Sequence, residues 1–159
     1  MDINELTIDQ NLLERINPVF NTAKMTLFQL SAAGDQDAVR ISDKLGLTLE
    51  NTNRVSTPEE MIHNIIVLET RFRTMGALAE ETGFTEVDLP CGYTPRAIEF
   101  ARKGKKFVGL DLPAAIAEAE PAITSLIDED KRHLVRFEGC DATNYETVVP
   151  LMVSICVLW

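Results

Sequence analysis

Long apolar runs, cysteine, histidine and positive charge are all scarce in this 159-residue chain, and each scarcity removes a class of protein. The longest apolar run, residues 148–159, is interrupted by Pro150 and Ser154. It falls well short of the roughly 20 residues that a membrane-spanning helix needs. The opening Met1-Asp2-Ile3-Asn4-Glu5 has neither the positive nor the apolar region of a secretory signal, and no basic amphipathic transit segment follows. A cytoplasmic protein is expected on that ground. The three cysteines, Cys91, Cys140 and Cys156, show no C-x-x-C spacing, and His63 and His133 lie far apart, which speaks against a disulfide framework or a zinc site. With 15 Lys+Arg against 25 Asp+Glu, the net charge is −10. Nucleic-acid binders carry a basic footprint, so nucleic acid is not the expected ligand.

What is present suffices for one domain with one sizeable core, since 45% of the residues are hydrophobic. The first half reads helical. Ile8, Leu12, Leu13 and Ile16 recur at helical spacing before Pro18, and Phe20, Ala23, Leu27 and Leu30 continue a second stripe that ends before Gly34. A further helix spans residues 35–45 and stops at Gly46, which suits a helix C-cap. Residues 48–56 read as a loop. Thr57-Pro58-Glu59-Glu60 then combines a cap, a proline at the first helical position and a capping box. It opens a helix of about 25 residues in which Met61, Ile65, Leu68, Phe72, Met75 and Leu78 keep the period until Gly83.

After Gly83 the pattern changes to alternating strands and helices. Residues 85–89, 106–110 and 134–138 read as strands, 95–102 and 113–126 as helices, and the charge run 128–132 as a solvated turn. Strands separated by helical crossovers imply an α/β fold with a parallel sheet. The organisation expected is a helical region over residues 1–82, an α/β unit over 83–147 and an apolar tail over 148–159.

The first strand runs into Pro90-Cys91-Gly92-Tyr93-Thr94-Pro95-Arg96. A tight strand-to-helix turn offers backbone N–H groups and a positive dipole end, and Gly92 removes the side chain that would keep a ligand away. One glycine stands where a dinucleotide fingerprint has three, which weakens the case for a pyrophosphate. Asp111 closes the second strand 19 residues after Gly92, near the spacing at which an acid accepts from ribose hydroxyls. Asp141-Ala142 follows the third strand, where a carboxylate suits an adenine amino group and the Ala142 N–H suits the ring. Ligands of open parallel sheets sit beyond the carboxyl ends of the strands, so all three strand ends are expected to line one crevice. The plainer alternative is that Asp111 caps the helix at Pro113 and Asp141 caps one starting near Thr143.

Together, Val87-Asp88-Leu89-Pro90-Cys91-Gly92-Tyr93-Thr94-Pro95-Arg96, Val108-Gly109-Leu110-Asp111-Leu112-Pro113 and Asp141-Ala142 resemble the cofactor-binding half of class I methyltransferases. More narrowly they are similar to the leucine carboxyl methyltransferase-like group. The resemblance implies a partial Rossmann-like parallel sheet of about three strands behind a helical N-terminal region. It implies S-adenosylmethionine as cofactor and O-methyl transfer to a small molecule or carboxylate. It further implies that Gly92 lets the backbone approach the methionine moiety, Asp88 orients that end, Asp111 holds the ribose, and Asp141 with Ala142 holds the adenine. Arg71, with Arg73 second, is the candidate for the cofactor carboxylate, while Arg96 serves the same carboxylate or braces the turn. Pro90 stands where the group has the first glycine of its turn. No catalytic base is assigned and no metal is expected.

Against this, Arg71 and Arg73 could simply form a solvated helix face beside Glu69 or Glu80, and Cys91 could be a packed residue. The group carries its acceptor-binding and catalytic residues largely beyond the third strand, so the chain is expected to be a truncated cofactor-binding fragment, inactive alone. The tail follows Asp141 too closely for an ordinary crossover to a fourth strand. It either extends a helix from near Thr143 or lies as an antiparallel edge strand, and if exposed it would favour self-association. The rival readings are an NAD-binding Rossmann half-domain and a non-enzymatic helical interaction module.

Overall fold

The computed structural model describes residues 18–48, 58–82 and 86–158. The stripe from Ile8 to Ile16, most of the 48–56 loop, the Thr57 cap and Trp159 lie outside them.

Three helices come first. Helix α1 (Pro18–Ala32) begins on its proline, whose fixed φ and missing N–H suit a first helical position. It buries Met25, Leu27 and Leu30. Helix α2 (Gln36–Lys44) is capped by Asp35, whose carboxylate accepts from the Ala38 N–H at 2.8 Å. Helix α3 (Pro58–Thr82) has the 25 residues that its periodicity predicts.

The remainder alternates: β1 (Glu86–Asp88), α4 (Arg96–Arg102), β2 (Phe107–Asp111), α5 (Pro113–Thr124), β3 (Val135–Gly139) and α6 (Tyr145–Leu158). The charge run does not stay a simple turn, because Glu129–Leu134 winds into a 3-10 helix leading into β3. The strands form one parallel sheet in the order β1-β2-β3, with Val87 beside Val108 and Gly109 beside Phe137. This is the mixed α/β architecture that the alternation implies, consistent with a partial Rossmann-like arrangement.

Strand β2 is buried along its whole length, so its alternation feeds two cores rather than one. Phe107 joins Ala97, Phe100, Ala101, Ile116 and Ile123 beneath α4 and α5, and the same cluster runs on into Leu27, Leu30 and Ile41 of α1 and α2. The helical region and the sheet therefore share a core. Val108 and Leu110 face the other way, against Cys140 and Ile155, with Val148, Leu151 and Met152 packed beside them.

That second layer is the tail. It forms no edge strand; it is helix α6, and Pro150 sits inside it without ending it. Val148, Leu151, Met152 and Ile155 recur at i, i+3, i+4 and i+7, a helical period, and the open face of β2 is what this stripe covers. A strand would have turned alternate residues away from the sheet. Tyr145, Val149 and Val153 form the outward stripe of the same helix. Among the described residues no helix is long and apolar enough to cross a membrane.

Candidate functional site

The turn after β1 is anchored to the end of β2. The Cys91 N–H donates to the Leu110 carbonyl at 2.9 Å, and the Gly92 N–H donates to Asp111 Oδ2 at 2.7 Å. The other Asp111 oxygen accepts from the Leu112 N–H at 2.7 Å. One carboxylate, only 6% exposed, thus ties the glycine turn to the start of α5. Asp111 does not cap that helix: the N-cap is Leu112, with no side-chain cap bond.

Gly92 is required twice over. Its φ of +53° is strained for any residue with a Cβ, and a Cβ built there would lie 3.2 Å from the Ala23 Cβ of α1. The turn is therefore roofed closely by α1. Three of the N–H groups expected to face a ligand are paired within the fold instead. Cys91 and Gly92 are paired as described, Thr94 donates to the Cys91 carbonyl at 3.2 Å, and Pro90 and Pro95 have no N–H to offer.

Beyond this turn opens a cavity of about 770 Å³. Arg71, Asp88, Gly92, Arg96 and Asp111 all line it, so five of the seven expected residues converge there. Leu27 and Leu30 from α1, with Leu68, Phe72 and Met75 from α3, supply an apolar wall. Arg96 braces rather than reaches out: it pairs with Glu86 at 2.8 Å and Asp88 at 3.6 Å, and its guanidinium stacks 5.2 Å from the centre of the Phe72 ring. Arg71 has no ion-pair partner among the described residues. Arg73 is bonded to Glu69 and lines a separate cavity of about 410 Å³, which separates the two arginine candidates.

Asp141 and Ala142 stay outside this cavity, so the single crevice expected at three strand ends is built from two. Strand β2 stands between β1 and β3, and each step across a sheet moves about 4.8 Å away from the turn. Asp141 instead closes its own loop, accepting from the Thr143 N–H at 2.9 Å and the Thr143 hydroxyl at 2.7 Å, which lowers its pKa. Nor does it cap α6; Asn144 does, accepting from the Glu146 N–H at 3.1 Å.

Burial raises the pKa of Glu86, opposed by Arg96 and reinforced by Asp88 and Glu99. Burial likewise raises Asp88, opposed by Arg96 and reinforced by Asp111. A carboxylate raised on folding contributes stability that is fully present below its unfolded value and fades as pH rises through its folded value. Urea midpoints are therefore expected to rise from pH 7 towards about pH 5, and to rise less in Glu86→Gln/Asp88→Asn. An equal rise in both proteins would remove these two groups as the cause. Cys91 is packed in the core, and burial also pushes its thiol up, with Asp111 and Asp88 adding to it, which disfavours a thiolate there.

Three residues of this neighbourhood escaped the sequence. Tyr93 lines the cavity and is 2% exposed; Lys24 and Glu118 meet it from helices 94 residues apart. No spacing rule links positions so distant. Among the described residues no cluster of three or more His, Cys, Asp and Glu side chains could hold a metal ion. Comparison with known protein families, curated proteins and solved structures finds no match to this chain.

Proposed function

We propose that the cavity binds S-adenosylmethionine and that the chain supplies the cofactor site of an O-methyltransferase acting on a small molecule or carboxylate. The polarity of the cavity carries this proposal. Its lining presents the carboxylates of Asp88 and Asp111, with Arg96 already paired to acids and Arg71 as the lining's one cation without an ion-pair partner among the described residues. The N–H groups of Cys91, Gly92 and Thr94 are taken up inside the turn. A pyrophosphate needs donors and is repelled by carboxylates; a sulfonium with ribose hydroxyls and an ammonium group brings positive charge and donors of its own. That contrast favours S-adenosylmethionine over NAD.

In this reading Asp111 accepts a ribose hydroxyl on its remaining lone pairs and Asp88 faces the ammonium group. Arg71 takes the carboxylate, Gly92 keeps the approach clear, and Arg96 holds Asp88 in place. The adenine would extend along the strand ends towards Asp141 and Ala142. When bound, the cofactor would supply its sulfonium methyl group to an acceptor oxygen, the C–S bond breaking as the C–O bond forms, with S-adenosylhomocysteine leaving and the acceptor's proton passing to water. The chain's own part is positioning and charge.

Isothermal titration of the 159-residue chain tests this. S-adenosylmethionine is expected to bind, and NAD in large excess is expected not to displace it. Arg71→Ala should weaken binding about tenfold without moving the unfolding midpoint, because the side chain is exposed and pairs with nothing else described. Displacement by NAD would favour a dinucleotide site, and no binding of S-adenosylmethionine would end the proposal.

A further inference from the structure

Tyr93 follows Gly92 directly and is among the largest fully buried side chains of the protein. A buried phenol must place its hydroxyl, and this one donates to Glu118 Oε2 on α5 at 2.6 Å. The second oxygen of Glu118 accepts from Lys24 Nζ of α1 at 2.7 Å. The Lys24 ammonium in turn lies 5.7 Å from the centre of the Tyr93 ring. Each of the three touches the other two. They come from three elements: the cavity-roofing helix, the turn, and the helix that Asp111 ties to that turn.

The location of this triangle matters more than its strength. Ala23, the neighbour of Lys24, is the residue that a Cβ on Gly92 would meet at 3.2 Å, so α1 lies close over the turn at this point. The same helix gives the cavity Thr22, Thr26, Leu27 and Leu30. Any slide of α1 along the turn would reshape that wall. The Lys24–Glu118 pair is also partly shielded, with side-chain exposures of 21% and 38%, so it is more than a loose surface contact. Burial, with Glu118 adding, drives the Tyr93 hydroxyl far above its ordinary range, which keeps it a donor at any physiological pH.

We propose that Lys24, Tyr93 and Glu118 act as a positioning latch that sets the height of α1 over the Gly92 turn and so holds the cavity in its ligand-ready shape. The consequence for cofactor affinity rests on the function proposed above; the latch itself does not.

Hydrogen exchange of the full 159-residue chain, followed by mass spectrometry, tests the latch without any ligand. Pro90 and Pro95 bracket the turn, so residues 91–94 report it cleanly. Tyr93→Phe and Lys24→Met should each speed exchange at 91–94 about fivefold or more while residues 135–139 of β3 exchange as before. Lys24→Arg should restore the wild-type rate, and the double variant should be little worse than Tyr93→Phe alone, as coupled residues are. Affinity for S-adenosylmethionine should fall in parallel, by about threefold to tenfold. Unchanged exchange at 91–94 in both single variants overturns the latch, and so does an equal rise in β3, which marks general loosening. Should Tyr93→Phe fail to fold, Glu118→Gln replaces it, keeping an acceptor for the phenol while removing the charge that Lys24 needs. A wild-type chain that binds no S-adenosylmethionine sinks the cofactor proposal and leaves the exchange rates to decide the latch.

Discussion

Asp111→Ala is expected to lower folding stability by about 3 kcal/mol and to remove measurable binding of S-adenosylmethionine. The carboxylate holds two backbone donors at once, the Gly92 and Leu112 N–H groups, each at 2.7 Å. Deleting it strands both, and a buried donor left without a partner costs about 1–3 kcal/mol. Water entering from the cavity offsets part of this, which is why the sum stays below the full cost of two orphaned groups. Urea denaturation reads the first effect and calorimetry the second. The contrast with Arg71→Ala is the informative part, because that substitution should reduce binding alone. A wild-type midpoint for Asp111→Ala would mean that the Cys91 to Leu110 bond holds the turn by itself. An unchanged affinity would remove Asp111 from the ligand site.

Gly109→Ala is the second large effect, expected to cost about 2–3 kcal/mol by overpacking. Gly109 lies in the middle of the central strand, and a Cβ there would meet the Phe137 ring at 2.7 and 2.8 Å and the Cys91 sulfur at 3.0 Å. Neither neighbour has room to give. Phe137 is packed against Phe107, ring centres 6.1 Å apart, and Cys91 begins the glycine turn. The damage should therefore reach the site, lowering ligand affinity as well as stability. Gly109→Ala/Phe137→Leu should be less destabilised than the sum of its single changes, since the smaller side chain vacates part of the contested space. Strict additivity in urea denaturation would show that the ring is not the obstacle.

Both effects concern residues whose identity was plain in the sequence and whose surroundings were not. Asp111 was found by its place at a strand end and its distance from Gly92, both local properties of the chain. Its hydrogen bond to Gly92 exists only because β1 and β2 lie side by side. Arg96 shows the same division. The sequence left it either reaching for a carboxylate or bracing the turn, and the closeness of Glu86, Asp88 and Phe72 decided for the brace. The tail is a different case: the sequence left it as a helix or an edge strand, and the open face of β2, which Val148, Leu151, Met152 and Ile155 cover at helical spacing, decided for the helix. Asp141 and Ala142 were correctly put after the third strand, yet the sheet order carried them away from the cavity.

What the amino-acid sequence determined by itself was the run of elements: the 25-residue α3, the three strands, and the turn centred on Gly92. Those features depend on residues within a few positions of one another, where helix and strand geometry fixes the spacing. Tertiary structure alone decided which polar groups remain available to a ligand. It bound the Gly92 N–H to Asp111 and the Cys91 N–H to the Leu110 carbonyl, locked Arg96 between two acids, left Arg71 facing the cavity, and brought Lys24 to Glu118 across 94 residues of chain. Hydrogen bonds and ion pairs form wherever packing brings donor and acceptor to about 3 Å, and no periodicity along the chain encodes that distance.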